Sequence, residues 1–230
     1  MLAITEKGWL VNSENEDGGI SVEKATFDET LFVELASVLI SGRLTIHFAT
    51  VGTSYCATMK FDMVEVDYYL EAIWLILDGI DRESSAVSGI VPQAALMTES
   101  WPWKFRADVQ RYRPPGQPIL AAVQWPAVNA AFQRELSPAV SLLVTNRELV
   151  LMTEGDAAPL HAGATITYFP LARLADFHVG HHGRFGFLAL QVHASHGGEK
   201  LEVMFPPGCE EAVSKRMEHV LVTAKNYIPA

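Results

Sequence analysis

The chain has 230 residues, of which 49% are hydrophobic and 10% aromatic, a composition that supports a packed core and excludes disordered and fibrous proteins. Its net charge of −10 lies in residues 1–100, which hold five Lys or Arg against sixteen Asp or Glu, whereas residues 101–230 hold twelve against eleven. Nucleic acids and anionic lipids are bound through clustered Lys and Arg, so we expect no nucleic acid partner for so acidic a chain.

Membrane and redox signals are absent from the sequence pattern. The amino terminus lacks a basic start followed by a long apolar run, and no stretch approaches the roughly 20 apolar residues of a membrane helix. Cys56 falls inside a predicted strand and Cys209 at a predicted helix start, in different parts of the chain. We therefore expect a cytoplasmic protein that is not integral to a membrane and has no disulfide between these cysteines.

The first and last parts of the chain share one pattern. Residues 4–11 (ITEKGWLV) return as residues 144–151 (VTNRELVL), and the likeness extends over about seventy residues. Two alternating strands match in order: Leu44, Ile46 and Phe48 with Leu188, Leu190 and Val192, then Ala57, Met59 and Phe61 with Leu201, Val203 and Phe205. One helix follows in each part, so the sequence predicts a tandem duplication.

The first copy ends in an unusually apolar helix. Asp62 is placed as its N-cap with Glu65 in a capping box, and Gly79 is the predicted stop. The residues from Met63 to Leu77 carry more apolar surface than one stripe needs, which predicts a helix covered on more than one side. We expect the extra face to meet the other copy or a second subunit, through Tyr69, Ile73, Trp74 and Leu77.

The linker, residues 81–117, is predicted to be ordered. From Trp103 onward it has helical spacing, with Phe105, Val109 and Tyr112 on one face and Arg106, Gln110 and Arg113 on another. The candidate functional residues of this segment are Trp101, Trp103, Lys104, Arg106, Arg111 and Arg113. They either form a recognition surface, as tryptophans and arginines do at interfaces, or fill the junction and pair with the acidic first copy. We favour the internal role, and exposure of Trp103 and of the arginines distinguishes the two.

The second copy is predicted to be a small antiparallel sheet or barrel with a final helix from Cys209 to Ala224. The predicted strands are Ile119–Trp125, Ser141–Met152, Thr165–Phe169, Leu174–His178, Phe185–His193 and Lys200–Phe205. The first of these has no equivalent before Thr5, so the first copy is expected to lack one strand. The open edge must then be covered by the linker, the other copy or another chain.

The histidines are the remaining chemical candidates. His178, His181 and His182 lie in one segment, and His193 and His196 in another. If the first group forms a hairpin turn, His193 lies on the order of 30 Å away along the return strand, too far for one metal site. Cys209 is followed by two glutamates that oppose a thiolate, and no catalytic motif is present. We expect no cofactor, no metal and no enzymatic activity. The alternative hypothesis of a metal-dependent enzyme would be tested by quantitative metal analysis of the purified protein.

The stretch from Leu142 to Val222 resembles bacterial pleckstrin-homology (PH)-like domains. The resemblance is carried by residues 142–151 (LLVTNRELVL) and 166–177 (ITYFPLARLADF), and the first copy matches more loosely. It implies a mainly β (α+β) fold with two PH-like antiparallel β-barrels, each closed by a C-terminal helix. The implied domains are residues 1–80 and 118–230, joined by residues 81–117.

The resemblance implies a binding platform and no reaction. PH domains that hold phosphoinositides use several Lys and Arg in the first hairpin, but residues 126–138 offer Arg134 beside Glu135. We therefore do not expect phosphoinositide binding. The expected function is a non-catalytic protein-interaction or scaffolding module that binds a protein partner or itself, and the alternative is lipid or anionic-ligand binding through the basic aromatic linker.

Overall fold

The computed structural model describes residues 1–14, 19–83, 98–129, 135–154 and 163–225, without the side chains of residues 14, 83, 135 and 219–225. The fold is mainly β, with antiparallel sheets and few helices. Residues 1–80, here called the first half, contain β1 (Leu2–Ile4), β2 (Gly8–Glu14), β3 (Ile20–Thr26), β4 (Thr30–Val38), β5 (Ser41–Thr50), β6 (Thr53–Asp62) and most of α1 (Val66–Glu83). The linker contains α2 (Trp103–Tyr112).

Residues 118–230, here called the second half, contain more strands. They are β7 (Ala121–Trp125), β8 (Val128–Asn129), β9 (Glu135–Ser137), β10 (Val140–Val144), β11 (Glu148–Glu154), β12 (Gly163–Pro170), β13 (Leu174–His182), β14 (Phe185–Ala194) and β15 (Gly197–Phe205), followed by α3 (Glu210–Lys225). The predicted strand over Ser141–Met152 was wrong in one respect, because the turn at residues 145–147 divides it into β10 and β11. The final helix was predicted to within one residue at each end.

A seven-stranded sheet joins the two halves in the order β6-β5-β4-β12-β11-β10-β7. Its central pair is β4 of the first half with β12 of the second, in a register that places Val33 opposite Tyr168 and Leu35 opposite Ile166. Strands β1-β2-β3 and β13-β14-β15 form two three-stranded sheets, and β8-β9 a small ribbon. The sheet therefore runs continuously across the expected domain boundary.

Three strands of the first half begin at a constant number of residues before three strands of the second half. Strands that begin at residues 30, 41 and 53 correspond to strands that begin at residues 174, 185 and 197, a constant offset of 144 positions. The turns before β2 and β11 have the same hydrogen bonds, since the Thr5 hydroxyl donates to the Gly8 carbonyl and the Thr145 hydroxyl to the Glu148 carbonyl. Residues at this offset, and residues at matching places in these two turns, which are 140 positions apart, are called counterparts below.

Glycine packing under an aromatic ring also recurs. Gly42 lies opposite Phe61 across β5 and β6, and Gly186 lies opposite Phe205 across β14 and β15. A Cβ added to Gly42 would lie 2.2 Å from the Phe61 ring, and one added to Gly186 would lie 1.9 Å from the Phe205 ring. In both halves the missing side chain makes room for the aromatic ring of the neighbouring strand.

The central sheet is buried on both faces where the second half contributes β10, β11 and β12. One face packs Leu143, Val150 and Ile166 against α1, α2 and the first-half strands. The other face packs Leu142, Leu149 and Leu151 against β13, β14, β15 and α3. Strands buried on both faces need continuous apolar runs, which explains why residues 142–144 and 149–152 do not alternate.

Helix α1 is preceded by a short 3-10 turn over Met63–Glu65, and the Asp62 side chain accepts from the Val64 amide, which confirms Asp62 as the N-cap. The hydrogen bond from Glu65 that a capping box requires is not among the contacts of the described residues. The predicted stop at Gly79 was wrong, because the helix continues to Glu83. A Cβ at Gly79 would lie 2.5 Å from the Phe27 ring, so this glycine permits close packing of the helix on the β3–β4 corner.

Helix α1 contacts β1 and β2 of the first half and β12 of the second. The prediction that the helix is covered on more than one side was wrong, because Tyr68 and Leu75 are exposed on the side opposite its buried apolar residues. The buried residues lie on one face, mostly at spacings of three and four. They are Val66, Leu70, Ile73, Ile76, Leu77 and Ile80. None of the helices in the described ranges is both long enough and apolar enough to cross a membrane.

Candidate interaction surfaces

Helix α2 is anchored by one face. Phe105, Val109 and Tyr112 are buried in the cluster that also contains α1 and the central sheet, as their spacing predicted. Trp101, just before the helix, is buried in the same cluster. The buried Tyr168 hydroxyl donates to the Tyr112 carbonyl oxygen over 2.7 Å, which ties the end of α2 to β12. The linker helix therefore has a fixed position on the sheet.

The opposite face of α2 is open to solvent. Trp103 is 75% exposed, and Arg106, Gln110 and Arg113 follow it at spacings of three and four residues on an exposed stripe. This stripe is called the α2 face below. Arg111 is also exposed, with its guanidinium 5.7 Å from the centre of the Tyr112 ring. Tryptophan and arginine are the residue types that contribute most to protein interfaces, so the α2 face has the composition of a binding surface.

The internal role requires the basic residues of α2 to pair with the acidic first half. In the structure they do not. The Lys104 ammonium forms its ion pair with Glu154 of β11, at 3.3 Å in the second half. Arg106, Arg111 and Arg113 form no ion pair within the part of the chain that the structure describes. Burial raises the pKa of Asp108, which also lies near Lys104 and Glu154. Trp101 and Lys104 thus contribute to the fold, whereas Trp103 and the arginines remain available.

The predicted interface residues of α1 lie at the junction of the halves to different degrees. Ile73 and Leu77 are fully buried in the shared cluster. Tyr69 is partly buried and stacks on Phe61, with ring centres 3.9 Å apart. Trp74 is partly buried, and its indole N–H has no acceptor in the described ranges. The apolar surface of α1 is used mainly inside the molecule.

Sequence reasoning missed the polar contacts between the halves. The Arg147 guanidinium bridges Asp78, at 2.8 Å, and Asp81, both near the end of α1. The Arg173 guanidinium donates to the carbonyl oxygens of Phe27 and Thr30, at 2.9 and 3.0 Å. The available signal was the pair of carboxylates at positions 78 and 81, one helical turn apart, which presents two acceptors to one guanidinium.

Glu148 is a buried carboxylate beside this junction. Its carboxylate accepts from the Thr145 hydroxyl at 2.7 Å, and its amide donates to the same hydroxyl at 2.9 Å. Burial raises the pKa of Glu148, while the Thr145 hydrogen bond and the Arg147 charge act in the opposite direction. Glu148 is 2% exposed, and its hydrogen bonds to Thr145 are made inside the turn.

The histidine segment forms the β13–β14 hairpin, with its turn at Gly183 and Arg184, one residue beyond the predicted turn. His182 lies 2.9 Å from Glu202 and stacks on Phe187, and His181 lies 3.8 Å from Glu210. His193 instead contacts Gln191. Among the described residues, no three His, Cys, Asp or Glu side chains are grouped so that they could hold a metal ion.

Both cysteines are free thiols, with Cys56 exposed and Cys209 partly buried. Burial raises the pKa of the Cys209 thiol, and Glu210 raises it further. A raised thiol pKa disfavours the nucleophilic thiolate, as the glutamates at this helix start predicted. Arg134, the basic residue considered for phosphate binding, lies outside the described residues.

An open groove of about 480 Å³ lies on β2 and β3 of the first half. Its charged lining residues are Lys7, Lys24 and Glu29. The hydroxyls of Thr5 and Thr26 that border it already donate to the Gly8 carbonyl and the Glu29 carboxylate. The groove therefore offers exposed lysines and no prepared catalytic group.

Known proteins do not extend these observations, because no protein-family model matches the chain and no curated protein matches it. The functional conclusion consequently depends on the exposed surfaces of the structure itself.

Proposed function

We propose that this protein is a non-catalytic, cytoplasmic interaction module that arose by tandem duplication of a PH-like domain and binds an acidic protein surface through the α2 face. The observation that carries the proposal is the 75% exposure of Trp103 on a helix whose opposite face is buried. A tryptophan fixed on a rigid element loses little conformational entropy on binding. The neighbouring arginines then select a partner with carboxylates.

The order of the elements supports the PH-like assignment. In the second half, β7, β10, β11 and β12 precede the three-stranded sheet and α3, which is the order that the resemblance implies. The first half has the corresponding elements except for a counterpart of β7, since β1 has β2 as its single neighbour among the described strands. A platform of this kind presents loops and helices on a rigid sheet.

The test is affinity capture with the immobilised full-length protein from a lysate of its source organism. The wild type is compared with Trp103→Ser and with the double variant Arg106→Glu/Arg113→Glu, and Arg184→Glu/Lys215→Glu is the charge-matched control in the second half. We expect the α2 variants to lose proteins that the wild type and the control both retain, as measured by quantitative mass spectrometry. Identical sets of captured proteins from all four would contradict the proposal.

The second candidate is binding of anionic lipid by the same face. The three exposed arginines beside Trp103, without ion pairs in the described ranges, favour it. Vesicles of phosphatidylcholine with and without phosphatidylserine distinguish the candidates, because lipid binding should require the anionic lipid, weaken with salt and disappear in Arg106→Glu/Arg113→Glu. No binding at low ionic strength would eliminate it.

A further inference from the structure

A second exposed surface lies where the β4–β5 turn meets the start of α1. The turn consists of Leu39 and Ile40, which are 63% and 75% exposed. The Ile40 carbonyl oxygen accepts from the Met63 amide at 2.8 Å, so the turn adjoins Val64 and Tyr68, which are 89% and 76% exposed. Leu39, Ile40, Val64 and Tyr68 are called the apolar corner below.

The backbone conformation of the β4–β5 turn is one that its residue types disfavour. Two-residue hairpin turns favour Gly, Asn and Asp, because their backbone takes positive φ. Leu39 has φ 54, a left-handed conformation that a leucine side chain disfavours. Both side chains are exposed, so burial of apolar surface does not offset the backbone strain at Leu39. Strained residues at an exposed position point to a role in binding.

The second half provides an internal comparison for the same backbone. The counterparts of Leu39, Ile40, Val64 and Tyr68 are Gly183, Arg184, Gly208 and Ala212. Gly183 shares the positive φ of Leu39, at 63, whereas Gly208 has φ 88 and Val64 does not have positive φ. The fold therefore does not require large apolar side chains at these four positions, and the first half carries them for another reason.

Charge restricts what can cover the corner. Asp62, Glu65, Asp67 and Glu71 are all exposed around it, and none forms an ion pair within the described residues. No basic residue interrupts residues 62–71. This acidic rim repels an anionic membrane and would repel a second copy of itself, so the occupant must be apolar and basic.

The α2 face has that chemistry, with the exposed Trp103 beside Arg106 and Arg113. The start of α2 also lies at the same end of the sheet as the corner, because Lys104 pairs with Glu154, which is opposite Ala164 in β12, and Ala164 is opposite Ser37 in β4. Ser37 is in the last part of β4, two residues before Leu39. Two complementary surfaces side by side on one molecule allow a closed two-fold dimer, in which each α2 face meets the apolar corner of the other copy.

We propose that the apolar corner of the first half docks the α2 face of a second copy of this chain, through Trp103 on the apolar side chains and the arginines on the acidic rim. This inference rests on the proposed function, since it names the acidic surface that the α2 face binds. It also gives the strained Leu39 turn a partner.

The test is the mass of the full-length protein by sedimentation velocity over a range of concentrations. We expect a monomer–dimer equilibrium that weakens with salt and weakens roughly tenfold or more in two separate variants. The first is Leu39→Gly/Ile40→Arg, which installs the second-half residues, and the second is Arg106→Glu/Arg113→Glu. Adding Glu65→Arg/Glu71→Arg to the second variant should restore the dimer, and Arg184→Glu/Lys215→Glu should leave it unchanged.

A wild type that stays monomeric at every concentration, or a dimer that survives both variants, overturns the inference. Thermal unfolding of each variant verifies that a loss of dimer is not a loss of fold. Failure of the dimer proposal is distinguishable from failure of the proposed function, because the lysate capture compares variants of the α2 face and does not alter the apolar corner. If the wild type is monomeric and still captures a partner that depends on Arg106 and Arg113, the dimer is excluded and the proposed interaction module is supported.

Discussion

The turn between β4 and β5 and the turn between β13 and β14 occupy corresponding places, yet they present different chemistry to solvent. The first has Leu39 and Ile40, and the second has Gly183 and Arg184. The helices that follow differ in the same sense, since α1 has six buried apolar residues and contacts both halves, whereas the buried residues described in α3 are Val213 and Met217. One backbone pattern thus serves as an ordinary surface in the second half and as a junction and apolar surface in the first.

The comparison shows that the polarity of a strand's or helix's residues depends on which elements pack against its faces. The β10–β12 strands are covered on both faces and contain continuous apolar runs such as residues 142–144 and 149–152, while β3, the counterpart of β12, exposes Ile20, Val22 and Lys24. One face of β12 is covered by α1 of the first half and α2 of the linker, and its edge is paired with β4 of the first half. Substitutions at matched positions of the two halves can therefore separate the fold from the surface.

The largest difference is expected at the two glycines under aromatic rings. Gly186→Ala should lower the free energy of unfolding by about 3 kcal/mol and Gly42→Ala by about 1 kcal/mol, because overpacking costs more where the neighbour cannot move. Phe205 is fully buried against Trp125, whereas Phe61 stacks on the partly buried Tyr69. Urea denaturation of both variants measures the difference, and equal losses would contradict the packing argument.

The next effect concerns the cations in the corresponding turns. Arg147→Ala should lower the free energy of unfolding by about 2 kcal/mol, since it leaves Asp78, Asp81 and the buried Glu148 without their cation. Its counterpart Lys7 is exposed and has no ion pair in the described ranges, so Lys7→Ala should change stability by less than about 0.5 kcal/mol. A comparable loss in both variants would show that Arg147 does not hold the halves together.

A smaller and opposite pair of effects is expected at the hairpin turns. Leu39→Gly should leave the free energy of unfolding unchanged or raise it by up to about 1 kcal/mol, because glycine adopts φ 54 without strain. Gly183→Leu should lower it by about 1 kcal/mol, since a Cβ there meets no atom within 4 Å and only the backbone is strained. A clear loss of stability in Leu39→Gly would mean that the apolar corner serves the fold.

The smallest effect is a pH dependence expected from the turn before β11 and not from the turn before β2, where Gly8 stands in place of Glu148. Burial raises the pKa of Glu148 above its ordinary 4.5, so the folded state holds this proton more tightly than the unfolded state. Its contribution is therefore full below pH 4.5 and is lost as pH rises through the higher folded-state pKa. Glu148→Gln should be more stable relative to wild type at neutral pH than at pH 4, as measured by urea denaturation, and a pH-independent difference would contradict this.

Local patterns in the sequence predicted many individual elements. The start of α2 at Trp103 and its buried face follow from spacing, and strands β5 and β14 follow from alternation. Gly79 misled because glycine marks both helix ends and close packing, and only the three-dimensional position of Phe27 distinguishes the two. The β4–β12 pairing was not predictable, because strand edges carry the same backbone groups whichever partner they meet.

The candidate surface was predicted in part. Trp103 and the arginines were identified from their residue types, but the choice between exposure and burial depends on which side of α2 meets the sheet. The apolar corner was missed because Leu31 to Ile40 resembles one continuous buried strand, and the exposed turn inside that run becomes visible only when the hairpin is formed.

The most direct test of this account is hydrogen–deuterium exchange of the full-length protein at low and high concentration, read by mass spectrometry. We expect protection at high concentration in residues 38–41, 62–71 and 101–113, and no change in the counterpart turn at residues 182–185 or in α3. Protection of the second-half turn, or no protection anywhere, would contradict the claim that the first half and α2 together form the binding surface.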